Sequence, residues 1–421
     1  MGLKQTAKKI VGPEKLSAAK GVVMHYFCTA RLGKKGKLRF ENDRLYLVEE
    51  LRSRDYHVFR GYYDLNYLSS DQKKFLVHRL PVNAGSNRET SIEIGYVDLE
   101  HRRFKKTARS LAWCWQQGSR LRWHPLKDSE ILFNDVDKKS GSYCTRIVDI
   151  NSRKTVGRID YPLYDIACDF SYGLSVNFER LQGFRPGYGY HYFSDGKDGV
   201  MAPAEDGLIY VDLKENKSKL LYSLRKLADV GQVDKEWYCY LNHISISPDC
   251  SHFIFFLITC KQGSKDWNTI LFVSDQDGKD LKILEREDRV SHYCWIDNDR
   301  VMITCHKNDK EEYYSIYHLN DTKKTILNIG KLRMDGHPSP YGTNEFITDT
   351  YPRDNSLQRL RFFGLNSKEA ETALALYHDY RMRGEKRCDL HPSVESEGKM
   401  ISIDTTFKGG KRSVLLLGVK E

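Results

Sequence analysis

Ser70-Asp71-Gln72, then Phe75-Leu76-Val77, then Gly95-Tyr96-Val97-Asp98-Leu99: a polar turn, an apolar strand, and downstream a second strand closing in hydrophobic–Asp–Leu. The unit recurs. Lys127-Asp128-Ser129 leads into Ile131-Leu132-Phe133 and closes at Ile147-Val148-Asp149-Ile150. Ser171-Tyr172-Gly173 leads into Leu174 to Phe178 and closes at Ile209 to Leu213. Ser247-Pro248-Asp249 precedes Phe253 to Leu257 and Ile270 to Val273, and Asp297-Asn298-Asp299 precedes Val301 to Ile303 and Tyr314 to Leu319. Gly342-Thr343-Asn344 and Ser396-Glu397-Gly398 open the last two copies, which close at Leu360 to Leu365 and Val414 to Leu417. Seven copies of short strands punctuated by Gly, Asp, Asn and Ser predict an all-β, seven-bladed β-propeller, with four-stranded antiparallel blades around a central channel. One sheet cannot hold so many strands without curling, whereas radial repetition leaves only short, protected edges. Helical periodicity is confined to Ser218–Val230 and the N-terminal forty residues. The blades are assigned to residues 51–421, and residues 1–50 to an extension that acts as a cap or as a ring-closing strand.

Composition narrows the function classes. The chain has 421 residues, 40% hydrophobic and 12% aromatic, which excludes a disordered chain. No run approaches the ~18 apolar residues of a membrane helix, and Met1 to Lys20 lacks the apolar stretch of a secretory signal. The expected location is therefore cytoplasmic, with the ten cysteines reduced and read as small buried hydrophobes. Their spacing fits no zinc site. A net charge of +10 (67 Lys+Arg against 57 Asp+Glu) suits an anionic partner. Basic blocks are limited to Leu32–Lys37 and Lys105–Arg109, so a nucleic-acid role is set aside. There is no G-x-S-x-G elbow and no P-loop.

The repeat also gives geometry. The stretch before each polar turn belongs to a blade's innermost strand, so these stretches gather at one mouth of the channel. They are Tyr63-Asp64, Arg122-Trp123-His124, Tyr164-Asp165, Asn242-His243, Ser291-His292, Asp335-Gly336-His337 and Cys388-Asp389-Leu390-His391. Four successive blades place a histidine at this station, in a chain with only 14. A ring of His and Asp suits a divalent metal or a general base near neutral pH. Arg180 to Tyr190, with three Gly and one Pro, reads as a loop whose Arg185, Tyr188 and Tyr190 suit an anionic sugar. Asp349, in Thr348-Asp349-Thr350-Tyr351-Pro352, is placed to reach a ligand but reads first as a structural strand end.

At several of these segments the chain resembles the oligogalacturonate lyases and their propeller relatives encoded near polysaccharide genes. The resemblance runs from about residue 50 to the end. It is carried by Gly61-Tyr62-Tyr63-Asp64, Arg185-Pro186-Gly187-Tyr188-Gly189-Tyr190, Asn242-His243, Ser291-His292-Tyr293-Cys294-Trp295, Asp335-Gly336-His337-Pro338-Ser339, Thr348 to Pro352 and Arg387-Cys388-Asp389-Leu390-His391-Pro392. In that family, manganese held by His residues and a Gln neutralises a uronate carboxylate. A His removes the adjacent proton and an Arg assists. The resemblance implies metal-assisted β-elimination on acidic, uronate-containing oligosaccharides. His292, His337, Asp389 and His391 would hold a divalent metal such as Mn2+, His243 would be the base and Arg185 the assisting arginine. Tyr63, Asp64, Tyr188, Tyr190 and Lys386 would contact substrate. Asp389 stands where the lyases have a ligand His, and Lys386 where they have the Gln. In an alternative arrangement the Lys386 ammonium replaces the cation as carboxylate anchor. The competing function is a noncatalytic propeller binding a glycan or protein partner in polysaccharide biosynthesis.

Overall fold

Each short strand run alternates with turns that reverse the chain, so consecutive strands pair with one another. The computed structural model describes residues 22–23, 26, 36–85, 87–261, 266–307, 311–328, 334–352, 356–395 and 398–420. It contains seven separate antiparallel sheets. Blade 1 comprises Tyr56–Phe59, Lys74–Pro81, Ile92–Asp98 and Arg103–Ser110. Blade 2 comprises Arg122–His124, Lys127–Asp137, Ser142–Asp149 and Lys154–Ile159. Blade 3 comprises Asp165–Ile166, Tyr172–Ser175, Gly207–Asp212 and Lys217–Ser223, and blade 4 comprises Tyr238–Ile246, His252–Cys260, Trp267–Asp275 and Lys282–Glu285. Blade 5 comprises Arg289–Trp295, Arg300–Lys307, Glu311–His318 and Lys324–Leu327, and blade 6 comprises Ser339–Tyr341, Glu345–Asp349, Leu357–Gly364 and Glu371–Tyr377. Blade 7 takes Ser393–Glu395, Met400–Thr405 and Ser413–Val419 from the C-terminal end. The seventh copy's Ser396 and Glu397 lie outside the described residues.

The segment ahead of blade 1 supplies two strands. β1 (Arg39–Phe40) adds a fifth strand to blade 6, and β2 (Leu45–Leu51) pairs antiparallel with Ser413–Val419 as the outer strand of blade 7. Blade 7 is thus shared by both ends of the sequence. The ring closes through backbone hydrogen bonds rather than through side chains alone.

The inner strands are buried on both faces because neighbouring blades pack against them. All nine residues of Tyr238–Ile246 are buried. The next strand, His252–Cys260, presents Phe253 to Leu257 at 0% exposure. Burial on this scale is the main favourable term holding the blades together.

Two local expectations are corrected. The turn of blade 3 is Ala167 to Phe170, its second strand ends at Ser175, and the segment read as a loop begins as helix α1 (Phe178–Phe184). The cause is Asn177, whose side chain accepts the Arg180 N–H at 2.8 Å as an N-cap. The periodic stretch Ser218–Val230 is split between a strand ending at Ser223 and helix α2 (Leu224–Val230). There Ser223 caps the helix by accepting the Lys226 N–H.

Candidate metal and anion site at one mouth of the channel

The histidine stations sit where the innermost strands deviate from regular pairing. In blades 4 and 5 the register slips between Asn242 and Ser245 and between Val290 and Tyr293, so His243 and His292 lie in bulges that turn them into the channel. His337 and His391 come directly before the first strands of blades 6 and 7. His243 and His391 adopt φ of +54° and +48°, a conformation that non-glycine residues hold only where the surroundings fix it.

The four imidazoles converge. Ring centroids are 4.0 Å apart for His292 and His337, 4.3 Å for His337 and His391, and 5.6 Å for His243 and His292. Tyr62 and Tyr63 pack beneath them, Tyr62 at 4.7 Å from His391 and Tyr63 at 5.2 Å from His337.

Three of the rings are held by Nδ1. His292 Nδ1 donates to Asp335 at 2.9 Å, and His337 Nδ1 to Asp349 at 2.9 and 3.0 Å. His391 Nδ1 donates to the Gly61 carbonyl at 3.1 Å. Asp349 also accepts the backbone N–H groups of His337 and His391, at 2.9 and 3.0 Å, so one carboxylate aligns two rings from adjacent blades. With Nδ1 occupied as donor, Nε2 keeps its lone pair. The Nε2 atoms of His337 and His391 are buried and have no hydrogen-bond partner among the described residues. Orphaned buried imidazole nitrogens are costly in an apolar setting and suit a metal ion, whose histidine ligands are oriented in this way by outer carboxylates and carbonyls. His337, Asp389 and His391 offer ligand atoms within 4.8 Å of one another. The residues present therefore fit a divalent metal.

Burial sets the charges. It lowers the pKa of His292 and takes those of His243 and His391 well below the usual histidine value; neighbouring histidines add to this. For His337 burial also acts downward, but the Asp349 carboxylate outweighs it and raises the pKa. Asp389 is pulled below the ordinary carboxylate range against its burial, because both oxygens accept from Arg387 at 2.6–3.0 Å.

Arg387 continues outward. Its guanidinium lies 4.9 Å from the Tyr351 ring and, with Tyr351, Arg185, Trp267 and Asp335, lines a cavity of about 350 Å³ that adjoins the histidine cluster through Tyr351, whose ring is 6.2 Å from that of His292. Arg185 rests 5.2 Å from the Tyr188 ring and 5.3 Å from Trp267, and forms no ion pair among the described residues. Tyr188 in turn stands 6.3 Å from His243.

The other sequence-selected residues fall elsewhere. Tyr63 is buried under the rings, its hydroxyl donating to the Tyr293 carbonyl at 2.8 Å. Asp64 pairs with Arg120 at 2.9 and 3.1 Å and borders two cavities that share no lining residue with the histidine-side cavity. Tyr190 is core: it stacks on Phe178 at 4.3 Å and its hydroxyl accepts from Asn134 at 2.8 Å. Lys386 is exposed, with its ammonium 6.0 Å from the Trp115 ring.

Sequence reading passed over the residues that hold the site. Arg60, fully buried, donates to Ser402 at 2.7 Å and to the carbonyls of Leu390 and His391, fixing the approach to His391. Arg412 does the same for Arg387, donating to its carbonyl at 2.6 Å. Asp335 and Arg387 hold His292 and Asp389, contacts that no sequence pattern marks. Gly61 has φ of +130°, and a Cβ there would meet the Gln117 carbonyl at 3.0 Å, so only glycine can present its carbonyl to His391.

Fold and site together define a seven-bladed β-propeller with a buried cluster of imidazoles beside an arginine-lined cavity. Oligogalacturonate lyases share this fold. A solved structure of one in complex with manganese is 14% identical with a TM-score of 0.61, over 92% of this chain and 98% of that one. A second oligogalacturonate lyase, from Vibrio parahaemolyticus, is 13% identical with a TM-score of 0.60, over 92% and 99% of the two chains. The tricorn protease aligns over 90% of this chain and 34% of its own, at 9% identity and a TM-score of 0.51. No protein-family model and no curated protein matches the sequence. Among the described residues, no helix is long and apolar enough to cross a membrane.

Proposed function

We propose that this protein acts on acidic, uronate-containing oligosaccharides by metal-assisted β-elimination at the histidine mouth. The observation that carries the reading is the convergence of His292, His337 and His391 with Nδ1 tied back and with the Nε2 atoms of His337 and His391 unpartnered among the described residues, beside a cavity lined by two arginines. These imidazoles would hold a divalent cation, with manganese the first choice because one lyase of this fold is named as its complex. When bound, the cation supplies positive charge where the uronate carboxylate gains enolate character.

The remaining chemistry belongs to the chain. The C5 proton of a uronate is weakly acidic and needs a neutral base beside it. His243 is kept neutral by burial and stands next to His292. With Nδ1 directed at the Tyr62 hydroxyl, 3.4 Å away, its Nε2 takes the proton. The resulting imidazolium is disfavoured until an anionic substrate arrives, so base and substrate charge are matched. Arg185, lacking a carboxylate of its own, binds a sugar carboxylate, while the Tyr188 and Trp267 rings fix the guanidinium plane. Arg387 adds a second guanidinium, already half neutralised by Asp389, whose carboxylate both holds Arg387 and stands among the candidate ligands with His337 and His391.

The test is ultraviolet absorbance of unsaturated product from a panel of uronate oligosaccharides, with manganese-loaded protein. Product formation that disappears in His243→Ala supports the reading. Absence of product, with oligosaccharide binding retained, favours the noncatalytic glycan-binding propeller. The exposed Lys386 and the Arg387-bound Asp389, at the two places where the lyases have ligands, are the observations on that side.

A further inference from the structure

We infer that Cys168 and Cys250 form a reversible oxidation site, a dithiol that closes to a disulfide joining blade 3 to blade 4. The sequence gives both residues the same kind of place. Ala167-Cys168-Asp169-Phe170 and Ser247-Pro248-Asp249-Cys250 are successive copies of one turn, each closed by a backbone hydrogen bond from its fourth residue to its first at 2.9 Å. In each, the fourth residue is left-handed, Phe170 at φ +56° and Cys250 at φ +64°. In each, the Asp accepts the N–H two residues on, at 3.0 and 3.2 Å. The turns stand side by side where the innermost strands of blades 3 and 4 end, the second residue of one against the fourth of the next.

At this junction the two side chains are thiols. The Sγ atoms are 2.6 Å apart, closer than two sulfurs rest without a bond or a shared proton, and the Cys168 N–H donates to Cys250 Sγ at 3.1 Å. The contact is rigidly framed. Asp165 accepts the Ile246 N–H at 2.9 Å, and the Tyr172 hydroxyl donates to the Cys250 carbonyl at 3.0 Å, so both turns are already bound to the neighbouring blade. Cys168 is exposed, contrary to the expectation that the cysteines are buried hydrophobes. It can therefore meet an oxidant, whereas Cys250 is buried. Burial, with the adjacent Cys168, pushes the Cys250 thiol up to about 11, which leaves the exposed thiol as the first to react.

The oxidant class is a small-molecule disulfide. The Cys168 thiolate attacks one of its sulfurs, the S–S bond breaks, and one thiol leaves with the Cys168 proton. Cys250 then gives up its proton and attacks the Cys168 sulfur, expelling the second thiol. The two cysteines lose two electrons and two protons, and the small disulfide gains both. The product cross-links residues distant in sequence, the case in which a covalent link most restricts the unfolded chain.

The test is incubation of the folded protein with oxidised glutathione, followed by non-reducing peptide mapping and thermal melting. A Cys168–Cys250 cross-linked peptide, with a higher melting temperature that returns to the starting value on reduction, is the expected result. In Cys250→Ser the reaction should stop at a glutathione adduct on Cys168. An adduct on Cys168 as the sole product in the natural sequence, or recovery of both thiols unmodified, overturns the inference. The wild-type peptide map decides the matter even if the variant fails to fold.

Discussion

Asp349 lines none of the cavities described above yet controls two of the imidazoles, through Nδ1 and N–H of His337 and N–H of His391. Asp349→Asn keeps the size but loses acceptor capacity and charge, so manganese affinity measured by calorimetry should fall by roughly 10–100-fold, the range for outer partners of ligand histidines. His391→Ala should lose more, because it removes one of the proposed ligand nitrogens. At the rim, Arg387→Gln should weaken uronate binding, whereas Lys386→Ala should leave it unchanged, because the Lys386 ammonium lies by Trp115. A third residue-scale prediction concerns acid. Burial holds His57, His78 and His378 at about 4, against an ordinary 6.5. Below 6.5 the unfolded chain binds protons that these folded sites refuse, so stability falls as pH drops from 6.5 towards 4 and is level above that window with respect to these groups. Urea midpoints across the window check this; a midpoint that stays constant would show that the three rings titrate alike in both states.

At the level of elements, the bulges explain what could be read in advance. Strand patterns and turn residues announce a blade because each is local. The histidines were visible because one residue type recurs at one offset. Arg120 occupies the blade 2 counterpart of this station, three residues before Trp123 as His292 stands before Trp295, and shares the +54° φ of His243. It was missed because the residue type changes while the backbone feature persists. Arg60 and Arg412 are illegible for a different reason: their partners come from distant parts of the chain, and such pairing leaves no periodic trace in the sequence. The Arg180 to Phe184 stretch was misread because its glycine suggested a loop while the Asn177 cap decided for a helix. Gly336 gives the element-scale prediction. A Cβ there would meet the Asp349 carbonyl at 2.2 Å and Thr348 Oγ1 at 2.6 Å, so Gly336→Ala must push apart the segments that carry His337 and Asp349. A loss of about 1–3 kcal/mol in unfolding free energy is expected from overpacking of this kind, together with weaker metal binding.

For the whole molecule, closure and site depend on each other. His391 belongs to blade 7, whose outer strand is β2, so pairing of Leu45–Leu51 completes the blade that carries His391. Removal of residues 1–51 would leave Ser413–Val419 with an open edge and uncover its apolar side chains. A lower melting temperature with aggregation is predicted, to be followed by calorimetry and light scattering. The same architecture frames the functional proposal, since four blades must be held in register for His243, His292, His337 and His391 to face one another. The measurement that tests it most directly is titration of manganese into the wild-type protein, His337→Ala and His391→Ala, with each protein shown to be folded. The account predicts one bound ion per wild-type chain and none in either variant. Equal binding in all three, or no binding by the wild type, would contradict it.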